Sequence, residues 1–238
     1  MGRFPNIAAS KAKTGAIKAK LYSTYAKEIY LAAKSGVPEI DNNLTLRRIV
    51  EKAKKNQVPA DVIDRAIKKA KGSSTEDYQT IVYEGFGPGQ STLIIKTLTD
   101  NVNRTVAFVR EAFNKCKKSL GVANSVSYNY DHLALLGIKD GNEDQLLELL
   151  LDNNIEPVDM EVDDNVLIIS LNISDHYKAK EVIDAALGEQ DYVVDEEGMY
   201  AKDPIELTGE DLELFTRLYN LLDDIEDVTE IYHNVKNF

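Results

Sequence analysis

Residues 132–202 carry the pattern that most restricts the fold of this chain, because apolar stretches of two different periods follow one another there in a fixed order. Short apolar or alternating runs are typical of strands, and apolar residues spaced three or four apart are typical of helices. The pattern predicts strands at 133–138, 157–162, 166–171 and 192–200, and helices at 143–152 and 178–187. The resulting order β-α-β-β-α-β is that of a ferredoxin-like domain.

The stretches on either side of this region supply the elements of a second α+β domain. Before it, the sequence predicts strands at 80–83, 92–98 and 122–130 and a helix at 104–116 that has Asn103 as its N-cap. After it, a helix at 209–222 and a strand at 228–232 are predicted. We therefore expect a discontinuous α+β middle domain, residues 77–131 plus 207–238, into which a ferredoxin-like acidic domain, residues 132–206, is inserted.

The first 76 residues form a separate helical pattern. Short amphipathic stripes at 21–33, 46–53 and 62–70 predict three helices that must bury their apolar faces together. Gly36 is expected to end the first helix in the left-handed conformation. Residues 5–17 lack this periodicity and are expected to form an extended or loosely helical basic arm. The predicted fold class is thus α+β and multidomain, and its N-terminal helical domain covers residues 1–76.

Charge is divided unevenly along the chain. The net charge of −12 would argue against a nucleic-acid partner, but residues 1–72 hold 16 lysines and arginines against 6 acids, whereas residues 129–238 hold 6 against 29. A basic excess of this size in a short segment favours phosphate contact, and the low aromatic content there favours recognition of backbone and shape. The predicted nucleic-acid-binding residues are Lys11, Lys13, Lys18, Lys20, Arg47, Arg48, Lys54, Lys55, Lys68, Lys69 and Arg104.

The glycine-rich stretch 85–89 invites comparison with a phosphate-binding loop. Gln90 stands where the dinucleotide fingerprint has its last glycine, and a strand rather than a helix is predicted to follow. A hairpin connection is the better interpretation. Phe86 and Gly87 at its tip remain candidates for contact with RNA bases or with a partner.

The sequence shows no catalytic or cofactor motif. Its three histidines lie too far apart for a zinc site or a catalytic triad, and its single cysteine, Cys116, excludes an internal disulfide. Neighbouring lysines could lower the pKa of the Cys116 thiol. We expect no catalytic residue, no metal site, no cofactor and no enzymatic activity. Apolar runs are far shorter than the roughly 20 residues of a membrane span, so no membrane partner is expected. The single cysteine points to a reducing compartment such as the cytoplasm.

Several motifs resemble those of one known family. Among them are Met1-Gly2-Arg3, the stretch 63–69, the stretch 83–89, the stretch 98–105 and the closing stretch 224–228. Together they resemble the YebC/PmpR family along the whole chain. The resemblance implies a helical domain and two α+β domains, the third inserted into the second. It also implies a DNA-binding transcriptional regulator, with relatives that act in translation, including a mitochondrial activator of cytochrome c oxidase synthesis.

Three functional hypotheses follow from the sequence. The first is a transcriptional regulator whose residues 1–72 bind duplex DNA. The second is a ribosome-associated translation factor that binds rRNA and relieves stalling at proline-rich stretches; a lysine-rich surface without helix-turn-helix spacing suits this one better. The third is a protein–protein adaptor that uses the acidic domain.

Overall fold

The computed structural model describes residues 15–72 and 77–238 and shows an α+β, multidomain fold, as predicted. The helices and strands have the following bounds: α1 Gly15–Lys34, α2 Leu44–Lys55, α3 Ala60–Lys71, β1 Gln79–Phe86, β2 Thr92–Thr99, α4 Val102–Lys115, β3 Ser119–Leu120, β4 Tyr130–Lys139, α5 Glu143–Asp152, β5 Asp159–Asp163, β6 Val166–Asn172, α6 His176–Leu187, β7 Val194–Ala201, α7 Gly209–Asp223 and β8 Val228–His233.

The described residues divide into two compact units, one of which contains residues 126–207 and 232–238. Its antiparallel sheet has the order β5-β6-β4-β7, and the elements follow one another as β-α-β-β-α-β. Alternate residues of β4 and β6, such as Leu136 and Ile169, pack with Leu146 and Leu150 of α5 and Ile183 of α6. Strands with a period of two thus bury one face under two amphipathic helices.

The second unit contains the described residues before 126 together with 208–231. Its sheet has the order β3-β1-β2-β8, and β1 and β2 form an antiparallel hairpin from Gln79↔Thr99 to Phe86↔Thr92. Helices α1 to α3 bury a shared core that includes Ile29, Leu46 and Ile63. The three-domain division at 76/77, 131/132 and 206/207 stays a prediction.

The strand predicted at 122–130 is wrong. In this region β3 covers only Ser119–Leu120, and turns and a short 3-10 helix at Ser127–Asn129 lead to β4. The buried carboxylate of Glu84 explains the loop, because its Oε1 accepts the Asn124 backbone N–H at 2.9 Å and the Glu84 carbonyl accepts that of Gly121 at 2.7 Å. Asn124 has a φ of 62°, which is incompatible with a strand.

Two local predictions at helix ends are also wrong. The N-cap of α4 is Asn101, whose side chain accepts the Arg104 N–H at 3.0 Å, and not Asn103. Gly36 is not among the residues with positive φ. A Cβ there would lie 2.8 Å from Asn43 Nδ2, which donates to the carbonyls of Ala32 and Val37 at 2.9 Å. Close approach of the Asn43 side chain, rather than a left-handed turn, therefore explains the glycine.

Candidate nucleic-acid interface

Exposed lysines collect in the last turns of α2 and α3. Each helix buries one apolar stripe, so that the basic positions between the apolar ones face water. The exposed basic residues in these last turns are Lys52, Lys54, Lys55, Lys68, Lys69 and Lys71. The structure thus places four of the predicted residues, Lys54, Lys55, Lys68 and Lys69, on the solvent side of these two helices.

The end of α1 adds Lys34, which the sequence analysis did not select. Lys34 Nζ donates to the hydroxyl of Tyr30 at 2.8 Å, and the Tyr30 side chain is buried. The Nζ atoms of Lys34 and Lys69 lie 5.2 and 5.6 Å from the Tyr30 ring centroid. The signal was present in the sequence, because Lys34 lies one helical turn after Tyr30. One aromatic ring therefore gathers two cations from different helices.

The exposed lysines form two groups along α3. Four residues separate Lys55, the end of α2, from Ala60, the start of α3. Lys69 lies nine residues further along α3, a rise of about 13 Å. Lys54 and Lys55 are therefore near one end of α3, and Lys68 and Lys69, together with Lys34, are at the other. We name these two groups and the exposed surface between them the α2–α3 basic surface.

Other predicted residues of the N-terminal segment have varied positions. Lys11 and Lys13 lie outside the described residues, and Lys18 is exposed on α1. Arg47 is half-buried and donates from Nη2 to the carbonyl of Asp41 at 2.8 Å. Arg48 is half-buried as well.

Lys20 and Arg104 meet carboxylates instead of joining the basic surface. Lys20 Nζ lies 3.0 Å from Asp223 Oδ1 and also contacts the Asp223 carbonyl. Arg104 Nη2 lies 2.8 Å from both Asp100 Oδ1 and Asp227 Oδ2. Their charges are already matched within the protein, so neither residue has the unmatched charge that a phosphate would need.

Asp227 is the centre of a largely buried polar network. Its side chain is 6% exposed, and Lys27 Nζ lies 3.1 Å from its Oδ1. Its Oδ2 is 2.8 Å from Arg104 Nη2, 2.8 Å from Thr105 Oγ1 and 3.3 Å from Thr99 Oγ1. Burial by itself would raise the pKa of the Asp227 carboxyl, but hydrogen bonds from Arg104, Thr105 and Lys27 bring that pKa below its ordinary value.

This network unites two of the motifs on which the family resemblance rests. Thr99, Arg104 and Thr105 come from the stretch 98–105, and Asp227 comes from the stretch 224–228. Lys27 extends the network to α1. These two motifs therefore hold α1 against the α+β part of the same unit, and their chemistry is that of a charged structural junction.

The glycine-rich stretch is a hairpin connection, as predicted. It links β1 to β2, no helix follows it directly, and Gly89 has a φ of 56°. Phe86 is 46% exposed, whereas Gly87 is buried and donates its N–H to the Ser91 carbonyl at 2.7 Å. Of the two loop candidates, only Phe86 offers a surface to a partner.

The remaining titratable candidates have structural surroundings. Cys116 is fully buried, and burial raises the pKa of its thiol, which is the opposite of the effect that the neighbouring lysines alone could have. The buried His176 ring lies 2.8 Å from Glu197 Oε1 through Nδ1 and 3.0 Å from Asp195 Oδ1 through Nε2. Burial lowers the pKa of His233 to about 4. Within residues 15–72 and 77–238, no group of His, Cys, Asp and Glu side chains is arranged to hold a metal ion.

Comparison with known proteins identifies the family. Models of the TACO1/YebC protein N-terminal domain and of the TACO1/YebC second and third domain match residues 2–73 and 78–235. The chain belongs to the TACO1/YebC family. Among its curated TACO1/YebC relatives, a protein from Marinomonas sp. is 44% identical over 99% of this chain and 100% of its own length. One from Alcanivorax borkumensis is 42% identical over 99% of each. Both are named probable transcriptional regulatory protein.

A solved structure shares the TACO1/YebC fold. The crystal structure of a conserved hypothetical protein from Aquifex aeolicus matches with a TM-score of 0.78 and 28% sequence identity. The match covers 98% of this chain and 96% of that one. In the part of our chain that the structure describes, no helix combines the length and the apolarity needed to cross a membrane.

Proposed function

We propose that this chain is a cytoplasmic regulatory protein that binds nucleic acid through the α2–α3 basic surface, and that it acts as a transcriptional regulator on duplex DNA. The observation that carries this proposal is the collection of exposed lysines in the last turns of α2 and α3, joined by Lys34 of α1. The names of the curated relatives support a regulatory role.

The basic surface suits contacts to the phosphate backbone. Its lysines are point charges that neutralise phosphates but do not read base edges in a defined geometry. Lys69 lies about 13 Å along α3 from the start of that helix, near which Lys54 and Lys55 end α2, so one nucleic-acid segment must present at least two separate phosphates to the two groups. Affinity is therefore expected to depend strongly on salt and weakly on base sequence.

Titration of the full chain at several salt concentrations tests the surface. Fluorescence anisotropy with a labelled duplex DNA should show that Lys68→Gln/Lys69→Gln weakens binding. The negative slope of log K against log salt concentration should become shallower by about two. Lys54→Gln/Lys55→Gln should have a similar effect. The matched control is Lys117→Gln/Lys139→Gln, which removes two exposed lysines outside this surface.

An unchanged affinity and salt slope in both test variants would contradict the proposed surface. A loss of equal size in the control variant would show that only total charge matters. Circular dichroism of each variant checks that the helices are intact, since Lys69 also lies over Tyr30.

The second candidate function is a ribosome-associated translation factor that binds rRNA and relieves stalling at proline-rich stretches. The observation that favours it is the start of α3, where Asp61 and Asp64 are exposed. A recognition helix normally presents its N-terminal residues to base edges in the major groove, and here the two carboxylates, of which Asp61 is paired with Arg65 at 2.7 Å, stand where amide or guanidinium groups would read bases. Recognition of folded RNA by shape needs no such helix start.

Sedimentation separates the two candidates. Salt-sensitive migration with ribosomes, together with equal affinity for specific and random duplex DNA, would establish the translation factor and contradict the transcriptional regulator. Preferential binding to one DNA sequence, without migration with ribosomes, would support the transcriptional regulator and contradict the translation factor. The adaptor hypothesis for the acidic domain stays a prediction.

A further inference from the structure

A groove with a volume of about 660 Å³ lies between α4 and the turn from α7 to β8, within a single compact unit. One wall is a face of α4, on which Arg104, Phe108, Glu111 and Lys115 recur at spacings of three and four residues. The stretch 224–227 belongs to the other wall. None of the exposed lysines of the α2–α3 basic surface lines this groove.

The cations of the groove are already paired. Arg104 and Lys27 are bound to Asp227, as described above. Lys115 Nζ lies 2.8 Å from Glu111 Oε1 one turn earlier on α4. An incoming anion would have to displace a carboxylate from each of these cations, so the groove is a poor site for phosphate.

Among the residues that the structure describes, two carboxylates of the other wall have no strong partner of this kind. Asp224 is exposed at the end of α7. The Glu226 side chain is 75% exposed, and its Oε1 is 3.9 Å from Lys27 Nζ and 3.4 Å from Ser23 Oγ, both longer than in a strong charged hydrogen bond. Within residues 15–72 and 77–238, five carboxylates and three cations line the groove, and this net negative charge suits a cationic ligand.

Phe108 adds an aromatic surface to the same groove. Its side chain is 48% exposed, although it stands beside buried residues of α4 such as Val109 and Ala112. The apolar side chains of Leu221 and Ile225 also line the groove. A half-exposed aromatic ring that shares a groove with carboxylates is the combination that a guanidinium group prefers, because its plane stacks on the ring while its N–H groups donate to carboxylates.

We propose that this groove binds an arginine side chain presented by a basic partner protein. The guanidinium stacks on Phe108 and donates to Asp224 and Glu226, and the apolar residues beside the arginine contact Leu221 and Ile225. Lysine fits less well, since its compact ammonium cannot stack as a plane or donate in a fork. The groove would thus give the protein a second binding surface, for a polypeptide, in addition to the one proposed for nucleic acid.

A peptide titration of the full chain tests the proposal. The probe is acetyl-Gly-Leu-Arg-Leu-Gly-amide, followed by NMR of phenylalanine ring resonances, with Phe108 assigned from the Phe108→Leu variant. We expect saturable binding in the millimolar range, at least about tenfold weaker binding when citrulline replaces arginine, and intermediate binding when lysine does. Citrulline keeps the shape of the side chain and removes its charge.

Variants of the two walls locate the site. Asp224→Asn/Glu226→Gln should weaken binding by about tenfold and Phe108→Leu by about two- to fivefold. Asp211→Asn/Glu213→Gln, which removes two exposed carboxylates of α7 outside the groove, should leave the affinity for the peptide unchanged. Should the double variant fold poorly, Phe108→Leu and the citrulline peptide still decide.

Three results would each overturn the inference: no saturable shift up to about 10 mM peptide, equal affinity for the citrulline peptide, or full affinity in both wall variants. The outcome is independent of the proposed function. The Asp224→Asn/Glu226→Gln variant should bind duplex DNA at least as tightly as the unmodified chain, because it removes two negative charges and no lysine.

Discussion

Replacing Asp227 by asparagine tests the charged junction between α1 and the α+β part of its unit. The change keeps the shape of the side chain and one oxygen acceptor but removes the negative charge that faces Lys27 and Arg104. The Lys27 side chain is 12% exposed, so its ammonium would be left in a poorly hydrated position. The Arg104 side chain is 42% exposed and keeps Asp100, so it loses less.

These contacts set the expected size of the effect. Removing one member of a buried ion pair costs about 3–5 kcal/mol, and a hydrogen bond to a charged group is worth about 1.5–3 kcal/mol. Because one of the two cations is partly exposed and retains a second carboxylate, we expect Asp227→Asn to lower the free energy of unfolding by about 2–3 kcal/mol.

The pH dependence of the free energy of unfolding gives a second, independent test of the Asp227 carboxylate. The Asp227 carboxyl has a lowered pKa in the folded protein, so the unfolded chain takes up the proton first as the pH falls. The stability that this group contributes is therefore present in full above the ordinary aspartate pKa of about 3.9 and is lost as the pH falls through the lower, folded value. Asp227→Asn should remove this part of the acid sensitivity.

Urea unfolding followed by circular dichroism, at neutral pH and at several acidic values, measures both effects. Asp224→Asn is the matched control, because Asp224 is an exposed carboxylate of the same turn. The free energy of unfolding of this variant should stay within about 0.5 kcal/mol of that of the unmodified chain. A double-mutant cycle with Lys27→Met isolates the pair, and we expect a coupling of about 1–2 kcal/mol. An Asp227→Asn variant as stable as this control, with an unchanged acid profile, would refute the reasoning.

Three further predictions concern single positions. Gly36→Ala should destabilise the protein by about 1–2 kcal/mol, as measured by thermal unfolding. The new Cβ would lie 2.8 Å from Asn43 Nδ2, and the Asn43 side chain also caps α2. No loss of stability would mean that the Asn43 side chain can move without cost. His176→Leu should destabilise the unit that holds α6 by about 2–3 kcal/mol, visible as faster amide hydrogen exchange in α6, because two carboxylates of β7 lose their ring partner; exchange at the original rate would count against this. Cys116 should react with iodoacetamide far more slowly than a free thiol at pH 8 until the chain is unfolded, because it is buried and its pKa is raised; rapid labelling of the folded chain would show that the site is open.

The sequence predicted most of the secondary structure, because the signals involved are local. The helix Glu143–Asp152 has the bounds that its leucine spacing indicates, and the strand at 166–171 and the helix at 209–222 each end one residue later than predicted. The prediction of a strand at 122–130 was wrong, because the alternation of Val126, Tyr128 and Tyr130 carries no information about Glu84. The Glu84 carboxylate accepts the Asn124 backbone N–H and holds the loop in a conformation that is not a strand.

Candidate site residues divide in the same way. Exposed lysines of α2 and α3 could be recognised from spacing alone, since any position off the apolar stripe of an amphipathic helix faces water. The pairing of Lys20 with Asp223 joins residues 203 positions apart, and that of Arg104 with Asp227 joins residues 123 apart. A count of charges along the sequence cannot detect these two pairs, so Lys20, Asp223, Arg104 and Asp227 all look like independent surface groups.

The amino-acid sequence by itself determined the order of helices and strands, the family, and the separation of a basic beginning from an acidic end. These follow from local periodicity and composition, which do not depend on how distant segments meet. Only the tertiary structure decided which charges remain for a ligand. It buried Asp227 among Lys27, Arg104 and two threonines, gathered Lys34 and Lys69 around Tyr30, and left Asp224, Glu226 and Phe108 in one groove. Whether a charged side chain serves folding or binding depends on its partner in space, because a matched charge has little interaction left to offer a ligand.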